Sequence, residues 1–198
     1  MAILTRDEVV RSLDGAGRLF IDRPEAMRFF DVSVEGFWRS FGAILLVVPS
    51  YALASLAEYH LILSDSIADE GFSNGAFVAA RALSLCVDWV AFPVLLALVA
   101  GRLGLGRRYA SYVVARNWCS VLAFVPFGLV GLTFVLGLIG PDVASFLWLA
   151  TLIAVLRYSF VIARRSLGVG TAFAIGVVAA DFFLSLSIAA FADSVIGL

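Results

Sequence analysis

Five long runs of apolar residues, separated by short polar segments, dominate this sequence. They cover approximately residues 38–58, 80–101, 117–139, 143–163 and 169–191. Each run has about 20 residues, which is the length that a helix needs to cross the hydrocarbon core of a bilayer. Across the chain 62% of residues are hydrophobic and 15% are charged, whereas soluble domains are roughly half apolar and a quarter charged. The chain is therefore predicted to be an integral membrane protein whose main partner is the lipid bilayer.

The apolar runs also predict the secondary structure of the spans. Strands of a membrane barrel alternate apolar and polar residues over about ten positions, but these runs are continuous and about twice as long. In lipid, a helix satisfies its own backbone hydrogen bonds. We therefore expect an all-α polytopic transmembrane bundle over residues 37–198, preceded by an arm at residues 1–36.

Arginine supplies all 14 basic residues, and its distribution predicts the orientation of the chain. The basic segments are the arm, residues 102–116 and Arg164–Arg165; the acidic segments are residues 59–78, the turn at Asp142 and the tail at Asp193. Basic residues accumulate on the cytoplasmic side of a membrane. This alternation predicts a cytoplasmic N-terminus and an external C-terminus. The absence of lysine is typical of a GC-rich genome, and we expect a bacterial inner membrane.

The first 36 residues form the predicted cytoplasmic amphipathic arm. Thr5 followed by Glu8 fits a capping box, and Val9, Leu13 and Phe20 fall on one helical face. The arm either lies on the membrane surface with its aromatic side chains dipped inward or packs against the cytoplasmic end of the bundle. A signal peptide would need an apolar region earlier in the chain, so the first span is expected to act as its own insertion signal.

Three ionisable residues fall inside the predicted spans: Asp88, Arg157 and Asp181. Charged side chains are costly at membrane depth, so each of them needs a partner or a function. A rise of 1.5 Å per residue places both aspartates roughly 20 Å, and Arg157 roughly 10 Å, from the cytoplasmic face. Together with Asn117 and Arg116 near the inner mouth, these residues form a candidate intramembrane polar site.

Two interpretations of this site remain open. It could bind a proton or a cation, or an anionic lipid or substrate at the level of Arg157. Alternatively, the residues are structural: Arg157 reaches the headgroups along its own stem, and each aspartate is protonated or bonded to a neighbouring helix.

Small residues predict where helices approach closely. Ala172, Gly176 and Ala180 recur at every fourth position of the fifth span, and Ala97 and Gly101 do so in the second. Such surfaces let helix backbones pack against each other. The partner is either another helix of this chain or a second copy of it.

Motifs of enzymes and metal sites are absent from the sequence. It contains no phosphate-binding loop, no metalloprotease motif and no nucleophile elbow. Cys86, Cys119 and His60 lack the spacing of metal ligands, and the two thiols are expected to be free and buried. We therefore expect no catalytic residue, no metal and no cofactor, and the few arginines of residues 102–116 do not predict nucleic-acid binding.

The polar arm followed by five crowded helices resembles the layout of the Yip1 family, and the likeness covers about residues 37–192. The segment at 30–41, FDVSVEGFWRSF, looks like those that lead into the first helix of small bacterial membrane proteins of this type. The Asp-Leu-Tyr-Gly-Pro and Gly-Tyr motifs of eukaryotic members are absent, so the resemblance transfers no functional residue. Eukaryotic members act in membrane trafficking with small GTPases, a role not carried over to a bacterial chain.

The sequence therefore predicts a non-enzymatic membrane protein: a scaffold, assembly or membrane-organising component that acts through helix and lipid contacts. The alternative is a small transporter or channel that uses Asp88 and Asp181. A third possibility is an accessory subunit of a larger membrane complex, with the arm as its docking piece. Partners would then be other membrane proteins or further copies of the chain.

Overall fold

A computed structural model describes residues 4–64 and 73–196, and the described residues form helices and connecting turns without a β-strand. Five segments are long and apolar enough to cross a membrane, which confirms the predicted all-α bundle. They are Val34–Ser64, Asn74–Ala100, Gly106–Val135, Pro141–Leu167 and Thr171–Val195. Of the predicted loop 59–78, both ends are helical, and residues 65–72 lie outside the described residues.

The arm contains helix α1 (Arg6–Phe20) and a 3-10 helix (Pro24–Phe29). The Thr5 hydroxyl accepts a hydrogen bond from the Glu8 backbone N at 3.3 Å, as the capping box predicts. The first span is composite: α2 (Val34–Ser40) joins α3 (Ile44–Ser64) through a 3-10 turn at Phe41–Ala43. The remaining spans are α4 (Asn74–Ala100), α5 (Gly106–Val135), α6 (Pro141–Leu167) and α7 (Thr171–Val195).

Helix α5 is the central helix and packs most extensively against α3 and α6. A Cβ at Gly128 would lie 2.7 Å from the Ser50 Cα, and one at Gly131 would lie 2.7 Å from the Leu53 carbonyl oxygen. Only glycine permits this approach, which is how small residues promote helix association in lipid. Helix α7 completes the bundle by packing against α4 and α6.

The predicted start of the third span, near residue 117, was wrong. Helix α5 begins at Gly106, and only residues 101–105 connect it to α4. Arg107 and Arg108 occupy its first turn, and Arg116 lies well inside it. The helix continues past these charges because a charged side chain can remain in a bundle when it is paired or reaches the headgroups.

The arm packs against the bundle, as the second of its two predicted placements describes. Ala16 and Leu19 of α1 are fully buried. The Tyr158 hydroxyl of α6 donates to the Ala16 carbonyl at 2.6 Å. Arg165 Nε donates to Asp22 Oδ1 at 2.7 Å.

A second set of contacts joins the arm to the beginning of the first span. Arg39 of α2 lies between two arm carboxylates: its Nε is 2.8 Å from Glu8 Oε2, and its Nη2 is 2.8 Å from Asp31 Oδ2. The Arg39 side chain is only 18% exposed. The arm and the bundle are thus joined by buried surface, hydrogen bonds and ion pairs.

The predicted small-residue stripes do not lie between helices of this chain, which was the first of the two arrangements that the sequence left open. Ala97, Gly101, Ala172, Gly176 and Ala180 are all exposed. A Cβ placed at Gly176 or at Gly101 would meet no atom within 4 Å. Four-residue spacing gives one helix face, but it does not determine which way that face is turned. The close contacts are made instead by the glycines of α5.

Candidate intramembrane polar site

Arg116 of α5 and Asp181 of α7 form a bidentate ion pair inside the bundle. Arg116 Nη2 donates to Asp181 Oδ1 at 2.9 Å, and Nε donates to Oδ2 at 3.3 Å. The two side chains are 12% and 19% exposed. Each residue lies ten positions after the first residue of its helix, Gly106 or Thr171, which is roughly 15 Å along the axis. The two residues therefore lie at the same level along their helices.

Asp88 of α4 joins the same cluster through a hydroxyl. The Ser185 Oγ donates to Asp88 Oδ1 at 2.5 Å. Ser185 follows Asp181 by one helical turn, so α7 turns both side chains to the same face. Asp88 also interacts electrostatically with Arg116 and Asp181.

Two aromatic residues lie beside the ion pair, one turn closer to the arginine-rich end of the bundle. The Arg116 guanidinium lies 5.9 Å from the Phe92 ring centroid, and the Phe92 and Tyr112 rings meet edge to face at 6.1 Å. Phe92 follows Asp88, and Tyr112 precedes Arg116, by four residues. Both residues are 3% exposed, so they pack beside the cluster in the interior of the bundle.

The arrangement is compatible with two roles, ion binding and helix association. With both carboxylates ionised, one guanidinium and two acids carry a net charge of −1, and a proton or a cation at Asp88 would neutralise it. Alternatively, the same contacts hold α4, α5 and α7 together, because polar groups inside a membrane bundle bond helices to each other.

The structure places Asn117 and Arg157 outside this cluster. Asn117 is fully buried on another face of α5, where its Nδ2 donates to the Ser40 hydroxyl of α2 at 3.0 Å. Arg157 is exposed on α6, and its Nη1 donates to the Phe20 carbonyl of the arm at 2.9 Å. The candidate site therefore consists of Asp88, Arg116 and Asp181, with Ser185 as an added member.

A second intramembrane charge cluster, centred on Arg81, was missed from the sequence. Arg81 Nη2 lies 2.5 Å from Glu58 Oε1 and 2.7 Å from Asp193 Oδ1, and the Arg81 side chain is 9% exposed. The Tyr51 hydroxyl of α3 donates to the Arg81 carbonyl at 3.1 Å. The predicted span began at residue 80, which put Arg81 at its edge, whereas α4 begins at Asn74. The signal that could have revealed it is a lone arginine near the acid-rich ends of the spans.

The cysteines differ from expectation in one respect. Both are free; Cys119 is buried, as predicted, but Cys86 is exposed on α4. Within residues 4–64 and 73–196 there is no group of three His, Cys, Asp or Glu side chains that could hold a metal ion.

Comparison with known proteins adds no relative from which a role could be transferred. No protein-family model matches the chain, and neither a curated protein nor a solved structure matches it.

Proposed function

We propose that this chain is a non-enzymatic scaffold, assembly or membrane-organising component of the bacterial inner membrane, with a Yip1-like layout. Its N-terminus is cytoplasmic and its C-terminus is external. The observation that carries the proposal is that the charged side chains inside the spans connect helices of this chain to one another.

Three polar links support this assignment, and all of them involve α7. Arg116–Asp181 connects α5 to α7, Ser185–Asp88 connects α7 to α4, and Arg81 connects α4 to α3 and α7. Only 11% of the most apolar segment of α7 is buried. Apolar contact gives helices in lipid little net drive to associate, so α7 depends on these links.

An experiment on the two aspartates separates a structural role from transport. In Asp181→Asn the unpaired Arg116 should destabilise the bundle by about 3–5 kcal/mol, and Asp88→Asn should cost about 1 kcal/mol. Both variants should melt earlier in mild detergent, and wild-type proteoliposomes should show no proton or cation flux above empty liposomes. Asp142→Asn, at an exposed acid in the first turn of α6, is the control and should lower the melting temperature far less than Asp181→Asn, because an exposed acid at a helix N-terminus contributes less than about 1 kcal/mol.

A small transporter or channel is the alternative function. The hydrogen-bonding environment of Asp88 favours it. Its hydrogen-bond partner is a hydroxyl, and carboxylates placed inside membranes in this way serve as proton-relay groups in pumps and transporters. Wild-type flux that both asparagine variants abolish, with unchanged melting temperatures, would support this alternative and overturn the scaffold assignment.

A further inference from the structure

A groove of about 460 Å³ runs along the outer surface of the bundle between α6 and α7. Small-molecule sites have volumes of about 300–1,000 Å³. Apart from Thr171 the lining is apolar, and it includes Leu156, Phe160, Ile175, Val178 and Phe182. Such a surface has no partner within the described chain and is compatible with a hydrocarbon occupant.

The length of the groove matches one leaflet of a bilayer. Its lining on α7 extends from Thr171, the first residue of the helix, to Phe183. Twelve residues of α-helix rise roughly 18 Å, and one leaflet contributes about 15 Å of hydrocarbon. An acyl chain lying along the groove would therefore begin at the arginine-rich end of the bundle and finish near its middle.

An exposed arginine of α6, Arg164, follows the groove at the arginine-rich end of the bundle. Arg164 follows Phe160 by four residues, so both side chains lie on the same side of α6. Arg157 precedes Arg164 by two turns, and both arginines are exposed. Arg165, by contrast, is turned towards the arm, where it pairs with Asp22.

Arg164 differs from Arg157 and Arg165 because its guanidinium has no direct partner, although its charge acts on Asp22 from beyond ion-pair distance. Among the residues at 4–64 and 73–196 the Arg164 side chain forms neither an ion pair nor a hydrogen bond, whereas the Arg157 side chain bonds to the arm and that of Arg165 to an acid. An unpaired guanidinium at the end of an apolar groove is complementary to a negatively charged headgroup that carries an acyl chain.

We propose that the α6–α7 groove binds an anionic phospholipid, with an acyl chain between Phe160 and Phe182 and the phosphate at Arg164. Arg157 is turned away from this site, because its guanidinium hydrogen-bonds to the Phe20 carbonyl of the arm. The site lies on a different surface from the Arg116–Asp181 cluster. The proposal that it binds lipid does not depend on the proposed function.

The charge part of this proposal is tested with two phospholipids that share acyl chains. The full chain is equilibrated in mild detergent with equal amounts of phosphatidylglycerol and phosphatidylcholine, and bound lipid is counted by native mass spectrometry. Wild type should retain phosphatidylglycerol preferentially. Arg164→Gln should lower that preference about fivefold, because one arginine near the membrane surface contributes ~1 kcal/mol to binding of anionic lipid. Arg102→Gln removes one exposed charge from the α4–α5 connection and should change nothing.

The apolar part is tested by filling the groove. Ala179→Phe, at a lining residue of α7, should reduce retention of both lipids. Ala190→Phe, at an exposed position of the same helix, should not. If Ala179→Phe does not fold, Leu156→Trp replaces it in this test, because a tryptophan there obstructs the groove from the α6 side. Glycerol phosphate, which is a headgroup without a chain, should neither compete with phosphatidylglycerol nor stabilise the protein.

Three results would overturn the proposal. One is wild-type retention of the two lipids in equal amounts, which indicates ordinary bilayer contact. Another is an equal loss of preference in Arg164→Gln and Arg102→Gln, which indicates attraction to the whole basic end. The third is a dimer that Ala179→Phe dissociates while lipid retention is unchanged, which assigns the groove to a second copy of the chain.

Discussion

Three arginines of this molecule lie in largely buried positions beside carboxylates, whereas others, such as Arg107 and Arg164, are exposed. Arg39, Arg81 and Arg116 each lie within 3 Å of at least one acid and are less than a fifth exposed. A guanidinium is suited to such positions, because it is planar, can bind a carboxylate in a bidentate manner and is more weakly hydrated than an ammonium. The exposed arginines of the helix ends and connections instead face headgroups and water. Sequence hydropathy alone does not separate these two kinds.

The Asp22–Arg165 pair makes docking of the arm dependent on pH. The Arg165 guanidinium hydrogen-bonds to Asp22 and holds the pKa of that carboxyl below its usual range. A lowered pKa in the docked state means that the pair contributes fully above the ordinary aspartate pKa of about 4, and that this contribution is lost as the pH falls through the lowered value. We expect amide exchange in α1, corrected for its intrinsic pH dependence, to rise below about pH 4.

Substitutions of two arm acids test this assignment. Asp22→Asn should expose α1 to exchange already at neutral pH and should weaken the acid response. Asp7→Asn, at an exposed acid of the same arm, is the control. Protection of α1 that is independent of pH in the wild type, or an unchanged profile in Asp22→Asn, would contradict the role given to this pair.

Individual helices approach each other in this bundle at glycines that face a neighbouring backbone. Gly128 and Gly131 of α5 lie against α3, whereas Gly176 of α7, which belongs to the more regular sequence pattern, is open. In an open helical position, alanine is favoured over glycine by about 1 kcal/mol. Against a backbone, an added methyl group forces the two helices apart, which costs about 1–3 kcal/mol.

The same substitution should therefore have opposite effects at two glycines. Gly131→Ala should lower the melting temperature in detergent, because its Cβ would lie 2.7 Å from the Leu53 carbonyl oxygen. Gly176→Ala should leave the melting temperature unchanged or raise it. Equal effects of the two substitutions would show that α3 and α5 are not in backbone contact at Gly131.

The number and approximate positions of the spans could be predicted from sequence, because lipid imposes a minimum length of apolar residues on a helix. The ends of the helices could not, because a helix continues wherever its charges find partners, as α5 does past Arg116. The partners themselves could not be predicted either. Asp88 and Asp181 can be placed at similar depth by counting residues, but which helix each faces depends on the rotation of every helix about its axis. Counting residues also puts Arg157 and Asn117 in the arginine-rich half of the bundle, yet they face the arm and α2.

The molecule as a whole is a bundle whose most lipid-exposed helix, α7, is attached by polar links at two depths. Arg116 and Asp88 engage it in one half of the bundle, and Arg81 engages it near the end of the helix at Asp193. The arm binds the other side of the bundle, on α5 and α6. Loss of the links to α7 should therefore loosen one side of the protein and leave the arm in place.

A double-mutant cycle on Arg116 and Asp181 tests the central claim that charges inside the spans hold the helices together. Arg116→Met and Asp181→Leu each leave one charge unpaired in a buried position, and each should destabilise the bundle by about 3–5 kcal/mol. The double variant removes both charges and should be destabilised by far less than the sum, as measured by unfolding in mild detergent. Additive losses in the double variant would mean that the two side chains do not stabilise each other, and they would contradict this account.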